Sequence, residues 1–127
     1  MNLEKVVFGF FIILAMTLNF GFVLGDIDNP AHHHIYELFF AIVVNLIATV
    51  LKFGERTQIG AIHLASSLVA DLGLLAAAWV WVLAVHTDAT GLTPDATASI
   101  VSLSAGALAA NILSVIMLLV ETVMFRR

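Results

Sequence analysis

The sequence predicts an all-α fold, a four-transmembrane-helix antiparallel bundle with both termini in the cytoplasm. Three observations lead there. Apolar residues make up 61% of the chain and charged residues 11%, with a mean hydropathy of +1.07. A soluble domain carries roughly a quarter charged residues. Four separate apolar runs each reach the ~20 residues that an α-helix needs to cross the hydrocarbon core. All five Lys and Arg fall at one end of those runs. Open strands are excluded, because an unpaired sheet edge cannot be satisfied in lipid.

The runs cover about 6–25, 35–53, 59–85 and 96–125, within one integral membrane domain of 127 residues. The first two just span the core, while the last two exceed it and must tilt or project into the interface. Gly25 can end the first helix and Gly54 the second. Asn29-Pro30 and Thr93-Pro94 each pair a capping residue with proline at the first helical position. Asp95 follows in the first turn of helix 4, where the helix dipole favours a negative charge. Thr57 can cap helix 3, and the short link before it makes helices 2 and 3 a hairpin. Helix 1 can also be read as a signal peptide, with Lys5 as its basic region and Val23-Leu24-Gly25 as a cleavage-like site. Retention as a membrane helix is the preferred reading.

Orientation follows from charge. Lys5 precedes helix 1, Lys52 and Arg56 flank the helix 2–3 turn, and Arg126 and Arg127 close the sequence. The 26–34 and 87–95 loops hold no basic residue. The positive-inside rule then places both termini and the 54–58 turn in the cytoplasm. Tyr36, Trp79 and Trp81 lie toward the opposite ends, as an aromatic belt does.

Polar side chains inside the runs are the candidate site. An acidic residue at membrane depth costs about 3 kcal/mol on insertion scales, so it faces a protein interior or a wet cavity. Asn45, Asp71 and Asn111 fall near the midpoints of helices 2, 3 and 4, at about one depth. Asn19 and Thr17 on helix 1 lie nearer the outer surface. His63, Ser67 and Asp71 are spaced by four, so they share a slowly turning stripe. Glu37, Ala41, Asn45 and Thr49 do the same on helix 2, with Lys52 close by. The expected polar core or ion pathway is Asp71 with Ser67, His63, Asn45 and Asn111, continued inward by Glu121. A carboxylate with amide and hydroxyl oxygens is hard-cation chemistry, suited to Na⁺, K⁺ or a proton relay. The competing reading makes the same groups interhelical glue, and His63 a satisfied buried imidazole. Ser102, Gly106, Ala110 and Ser114 form a small-xxx-small row, the expected helix-packing face.

The outer end is acidic. Asp26, Asp28, His34 and Glu37 are the candidates there for cation or metal binding; His34 and Glu37 stand at i and i+3. Adjacent histidines rarely share a metal, because their side chains point about 100° apart on a helix. An ordinary acidic loop explains the same residues. His and carboxylates in this setting can bind Zn²⁺ or Cu²⁺, and histidines there can equally make the loop pH-sensitive.

Several chemistries are excluded by sequence. No cysteine means no disulfide, thiolate site or thiol nucleophile. No basic patch argues against nucleic acid. There is no phosphate-binding glycine loop, no zincin motif and no serine in a nucleophile elbow. A bis-histidine haem would need a symmetric dimer, since only His63 is embedded. No TVGYG filter is present. The expectation is a non-enzyme without cofactor. Its partners are the lipid bilayer, further copies of itself or another membrane subunit, and cations or protons. The leading function is a cation or proton channel or transporter subunit. The alternative is a non-catalytic accessory or assembly subunit of a larger membrane complex.

The stretches GDIDNPAHHHIYELFF from Gly25 and NLIATVLKFGERTQIGAIHLASSLVADL to Leu72 resemble a family of small, uncharacterised bacterial four-helix integral membrane proteins. The resemblance covers about a third of the sequence. It implies a bacterial inner-membrane location and no particular activity.

Overall fold

The computed structural model describes residues 3–53, 58–87 and 91–124. These residues form α1 (Leu3–Val23), α2 (Ile35–Lys52), α3 (Gln58–Thr87) and α4 (Pro94–Met124), with a 3₁₀ turn at Pro30–His32 between α1 and α2. All four helices are long and apolar enough to cross a membrane. The chain is therefore an all-α four-helix bundle of multi-pass membrane type.

Each helix packs on two neighbours, α1 on α2 and α4, and α3 on α2 and α4, with α3 against α4 the most extensive pair. Side-chain contacts fix the directions. Gly21 approaches Glu37 while Phe8 approaches Lys52, and Ser66 meets Ser114 while Gly73 packs on Ala107. The α1–α2 loop thus shares one end of the bundle with the last turn of α3 and the first of α4. Phe8, Lys52, His63 and Glu121 gather at the other end.

The inward face of each helix follows the 3.6-residue repeat. On α4, Ile100, Ser104, Ala107, Asn111 and Ser114 are buried. Large residues such as Leu72, Trp79, Leu119 and Val123 cover the outside. Two apolar clusters fill the interior. One, toward the loop end, holds Phe22, Leu38, Leu74, Ala77 and Ile100. The other, at the far end, holds Phe8, Ile12 and Ala48, with Val115 and Leu118 beside them. Small residues let the helices close up. A Cβ on Gly73 would stand 3.0 Å from the Leu103 carbonyl oxygen and 3.1 Å from Ala107 Cβ.

Local punctuation differs from expectation at one junction. Asn29 caps the 3₁₀ turn rather than α2, its Oδ1 accepting from Ala31 N at 3.0 Å. The chain then turns extended at His33 and His34 before α2 begins at Ile35, without a side-chain cap bond from His34. Two histidines build this loop. Asp26 N donates to His32 Nδ1 at 2.8 Å. Buried His33 faces two carbonyl oxygens, Phe22 O at 2.6 Å from Nδ1 and Asp26 O at 2.7 Å from Nε2. Gly25 has φ +98°, and a Cβ there would lie 2.6 Å from His32 Cβ, so glycine is required at this turn. Thr93 does cap α4, accepting from Ala96 N at 3.1 Å, and Pro94 is the first helical residue. Gly54, Thr57, Arg56, Arg126 and Arg127 lie outside the described residues.

Candidate polar site inside the bundle

Asn45, Asp71 and Asn111 each sit close to the middle of their helices. All three are buried, with Asn45 and Asn111 at 0% exposure and Asp71 at 7%. Ser67 and His63 are buried on the same stripe of α3. Contacts between helices set their relative heights. Ser66–Ser114 and Gly73–Ala107 bracket the stretch of α3 that contains Asp71, so it lies opposite the stretch of α4 that contains Asn111. Thr49 of α2 donates to Asp71 Oδ2 at 2.6 Å. Asn45 then sits one turn along α2 from that contact, toward the loop end.

The hydrogen-bond partners are unevenly distributed. Asn45 Nδ2 donates to Ala41 O at 2.9 Å, on its own helix. The Thr49 hydroxyl lies 2.9 Å from Asn45 O as well as 2.6 Å from Asp71 Oδ2, with one hydrogen for two acceptors. Among the described residues, Asp71 is therefore offered at most one neutral donor. With its amide turned to satisfy both ends, Asn19 donates to Ser104 O at 3.0 Å. It also accepts from Leu108 N at 3.0 Å and from Asn111 Nδ2 at 3.2 Å. Asn19 is thereby tied to α4 across the backbone of one helical turn.

After these bonds, five buried oxygens have no partner among the described residues: Asn45 Oδ1, Ser67 Oγ, Asp71 Oδ1, Ser104 Oγ and Asn111 Oδ1. They come from α2, α3 and α4. A buried polar atom without a partner costs about 1–3 kcal/mol. Buried groups normally find one.

At the far end His63 Nε2 stands 3.6 Å from Glu121 Oε1, and Glu121 is only partly buried. The Phe8 ring meets the His63 ring edge-on, with centroids 5.3 Å apart, and Lys52 Nζ lies 4.4 Å from the Phe8 centroid. With 1.5 Å rise per residue, the stripe from Asp71 through Ser67 to His63 spans about 12 Å of α3.

The structure thus places Asp71, Ser67 and His63 on one buried stripe of α3, with the stretch of α4 that contains Asn111 opposite and Glu121 beside His63, while Asn45 lies one turn from the Thr49–Asp71 contact toward the loop end. It does not make one face of Ser102, Gly106, Ala110 and Ser114. Ser102 and Gly106 lie on the outside, whereas Ala110 and Ser114 are buried. Residues four apart rotate about 40° per step, so the row winds from the outside to the interior. The buried small-residue row runs instead through Ser104, Ala107, Asn111 and Ser114. At the loop end Asp26, Asp28 and His34 are exposed, and Glu37 is half-buried against Gly21. Among the described residues no three His, Asp or Glu side chains converge as a metal-binding group. Trp81 leans inward on Phe22, with ring centroids 6.2 Å apart, while Tyr36 and Trp79 stay outside.

Sequence reading passed over Ser104, Ser66 and the Thr49–Asp71 bond. The heptad spacing of Ser104 and Asn111 was the available signal for the first. No curated protein and no solved structure matches the chain. Residues 32–122, from the 3₁₀ turn through nearly all of α4, match one family profile, and the chain belongs to that family of unknown function, DUF6394.

Proposed function

We propose that this protein is a subunit of a small channel or transporter that passes cations or protons through the interior of its helix bundle, with Asp71 as the central group. One observation carries the reading. A carboxylate near the middle of an apolar helix is buried with Oδ1 unpartnered among the described residues, as are four further buried oxygens on α2, α3 and α4. Packing alone has no use for such a group, which costs about 3 kcal/mol to place in a bilayer. His63 and Glu121 extend the polar line to the end of the bundle that carries Lys5 and Lys52. That end is cytoplasmic by the positive-inside rule, which also puts both termini inside. Asp26, Asp28, Glu37 and Asp95 give the opposite mouth an acidic surface that concentrates cations. Four closely packed helices leave the ion to step between side chains, and the working unit is an oligomer of such bundles in the plasma membrane.

A second reading, an accessory or assembly subunit, draws on the Asn19 network and the Ser66–Ser114 bond. Those contacts hold helices together and need no ligand.

The test is flux in proteoliposomes. Purified protein should pass a monovalent cation or protons down an imposed gradient. Asp71→Asn should abolish the flux and leave yield and particle size in detergent unchanged. Flux that is unaffected by Asp71→Asn contradicts the proposal. No flux alone, together with stoichiometric co-purification of another membrane subunit, supports the accessory reading.

A further inference from the structure

We propose that His33 is a proton-operated latch: as an imidazolium it caps the C-terminal end of α1 and holds the α1–α2 loop on the bundle, and loss of its proton releases the loop. The proposal concerns the loop end of the protein and stands apart from any passage through the interior.

The first ground is the hydrogen count at the ring. His33 is 2% exposed, and both of its ring nitrogens face backbone carbonyls, Nδ1 at 2.6 Å from Phe22 O and Nε2 at 2.7 Å from Asp26 O. A carbonyl oxygen only accepts. A neutral imidazole carries one N–H and one lone pair, whereas the imidazolium donates from both nitrogens. Only the cation turns both contacts into hydrogen bonds. In either neutral tautomer one carbonyl oxygen meets a lone pair at hydrogen-bond distance, on a ring that is almost wholly buried.

The second ground is position. Phe22 lies in the last turn of α1, where the final carbonyls have no partner within the helix. The negative end of the helix dipole favours a cation there. The groups that titrate around the ring add to this. Asp26 and Asp28 stand in the loop, Glu37 in the first turn of α2, and Asp95 in the first turn of α4 at the same end. His32 and His34 flank the ring and His86 closes α3, and each opposes the charge only when itself protonated. A buried charge is costly unless it is hydrogen-bonded, and here both donors are used.

The third ground is that the neighbouring residue asks for the opposite state. Asp26 N donates to His32 Nδ1 at 2.8 Å, so His32 needs a lone pair there and must be neutral. The two rings stand 6.4 Å apart between centroids. What the latch grips is the core. Phe22 is fully buried, and its ring meets His33 at 5.7 Å and Trp81 of α3 at 6.2 Å between centroids. A group whose charged form is bonded only in the folded state adds stability on the acid side of its titration if it is a base, and loses it as the pH rises. The His33 link is therefore complete in acid and is lost toward alkaline pH.

The experiment titrates the full chain in detergent from about pH 5 to 8, the range in which histidine side chains change charge. Isotope-labelled histidine followed by NMR should show a hydrogen on both ring nitrogens of His33 at the acid end. Its loss should coincide with faster amide hydrogen exchange across residues 24–33. Thermal unfolding gives the second reading. The loss of midpoint caused by His33→Phe should shrink to about half or less across the same range, because the neutral ring keeps one donor of two. His32→Phe should show the opposite trend, its loss growing with pH, because its bond needs the neutral ring. The proposal is overturned if one nitrogen of His33 lacks a hydrogen at the acid end while the loop is protected, or if deprotonation leaves loop exchange unchanged. A loss from His33→Phe that is constant or grows with pH overturns it too, as does the same trend in both variants. Should His33→Phe fail to fold, the NMR titration of the unsubstituted chain decides alone.

Discussion

Asn19 and Ser67 are both fully buried polar residues, yet truncating them should move stability in opposite directions. Asn19 makes three bonds to α4, at 3.0, 3.0 and 3.2 Å. Side-chain bonds between membrane helices average about 0.6 kcal/mol each, so three are worth about 2 kcal/mol. Part of this is recovered in Asn19→Ala. Ser104 O and Leu108 N stand four residues apart within the unbroken helix α4 and keep each other as partners. Asn111 Nδ2 is then left without its partner and a small void opens. The two effects offset, and the expected cost stays about 2 kcal/mol. Ser67→Ala removes a hydroxyl that bonds nothing among the described residues. It sheds a burial penalty of about 1 kcal/mol or more and gives up one atom of packing, so stability should be unchanged or rise by up to ~1 kcal/mol. The assay is reversible unfolding in mixed micelles followed by helicity, in choline salt so that no alkali cation contributes. Thr17→Ala is the control, because Thr17 lies outside and bonds only its own backbone at Ile13. It should stay within about 0.5 kcal/mol of the parent. A double-mutant cycle of Asn19→Ala with Asn111→Ala should show coupling of about 0.6 kcal/mol. The distinction between bonded glue and an unbonded hydroxyl is refuted if Ser67→Ala destabilises as much as Asn19→Ala. Strict additivity of Asn19 and Asn111 refutes the bond between them.

Two further perturbations test the frame that holds the site. Gly25→Ala should cost about 2 kcal/mol or more, because it meets both a φ of +98° and the His32 side chain, whereas Gly91→Ala at φ +84° has open space and should cost about 1 kcal/mol. Unfolding midpoints of the two variants give the comparison. Gly73→Leu drives a branched side chain into Leu103 O and Ala107, so α3 and α4 must separate; thermal stability should fall by several degrees and any cation flux should be lost, while Gly106→Leu, on an open outer surface, should leave both unchanged.

Much of this arrangement is legible in the residues themselves. Apolar runs bounded by Gly25, by Thr93-Pro94 and by basic residues mark the helices, because crossing lipid imposes length and composition. The mid-helix positions of Asn45, Asp71 and Asn111 follow from counting along those runs, and their burial follows from the expense of exposing them to lipid. Other features depend on neighbours that no single helix specifies. Asn29 sits before a proline and could cap α2. It caps a 3₁₀ turn because His32 and His33 fold the loop back onto α1. The row of Ser102, Gly106, Ala110 and Ser114 counts evenly by four, but 3.6 residues per turn carries half of it to the outside. Which atom of an amide is spent and which is spare depends on what it meets: Asn19 is taken up by the facing helix α4, whereas Asn45 turns its nitrogen back onto Ala41 of its own helix. The identical residue type therefore acts as glue at Asn19 and presents a spare oxygen at Asn45.

The absence of cysteine from the sequence permits one direct test of whether the interior, and not the lipid-facing surface, is in contact with water. Ser67→Cys and Leu72→Cys place single thiols on the same helix, one fully buried and one 69% exposed on the outside. In vesicles, a small charged thiol reagent should label Ser67→Cys, while Leu72→Cys stays unreacted in lipid. An inert Ser67→Cys beside a reactive Leu72→Cys would contradict a hydrated path through the bundle.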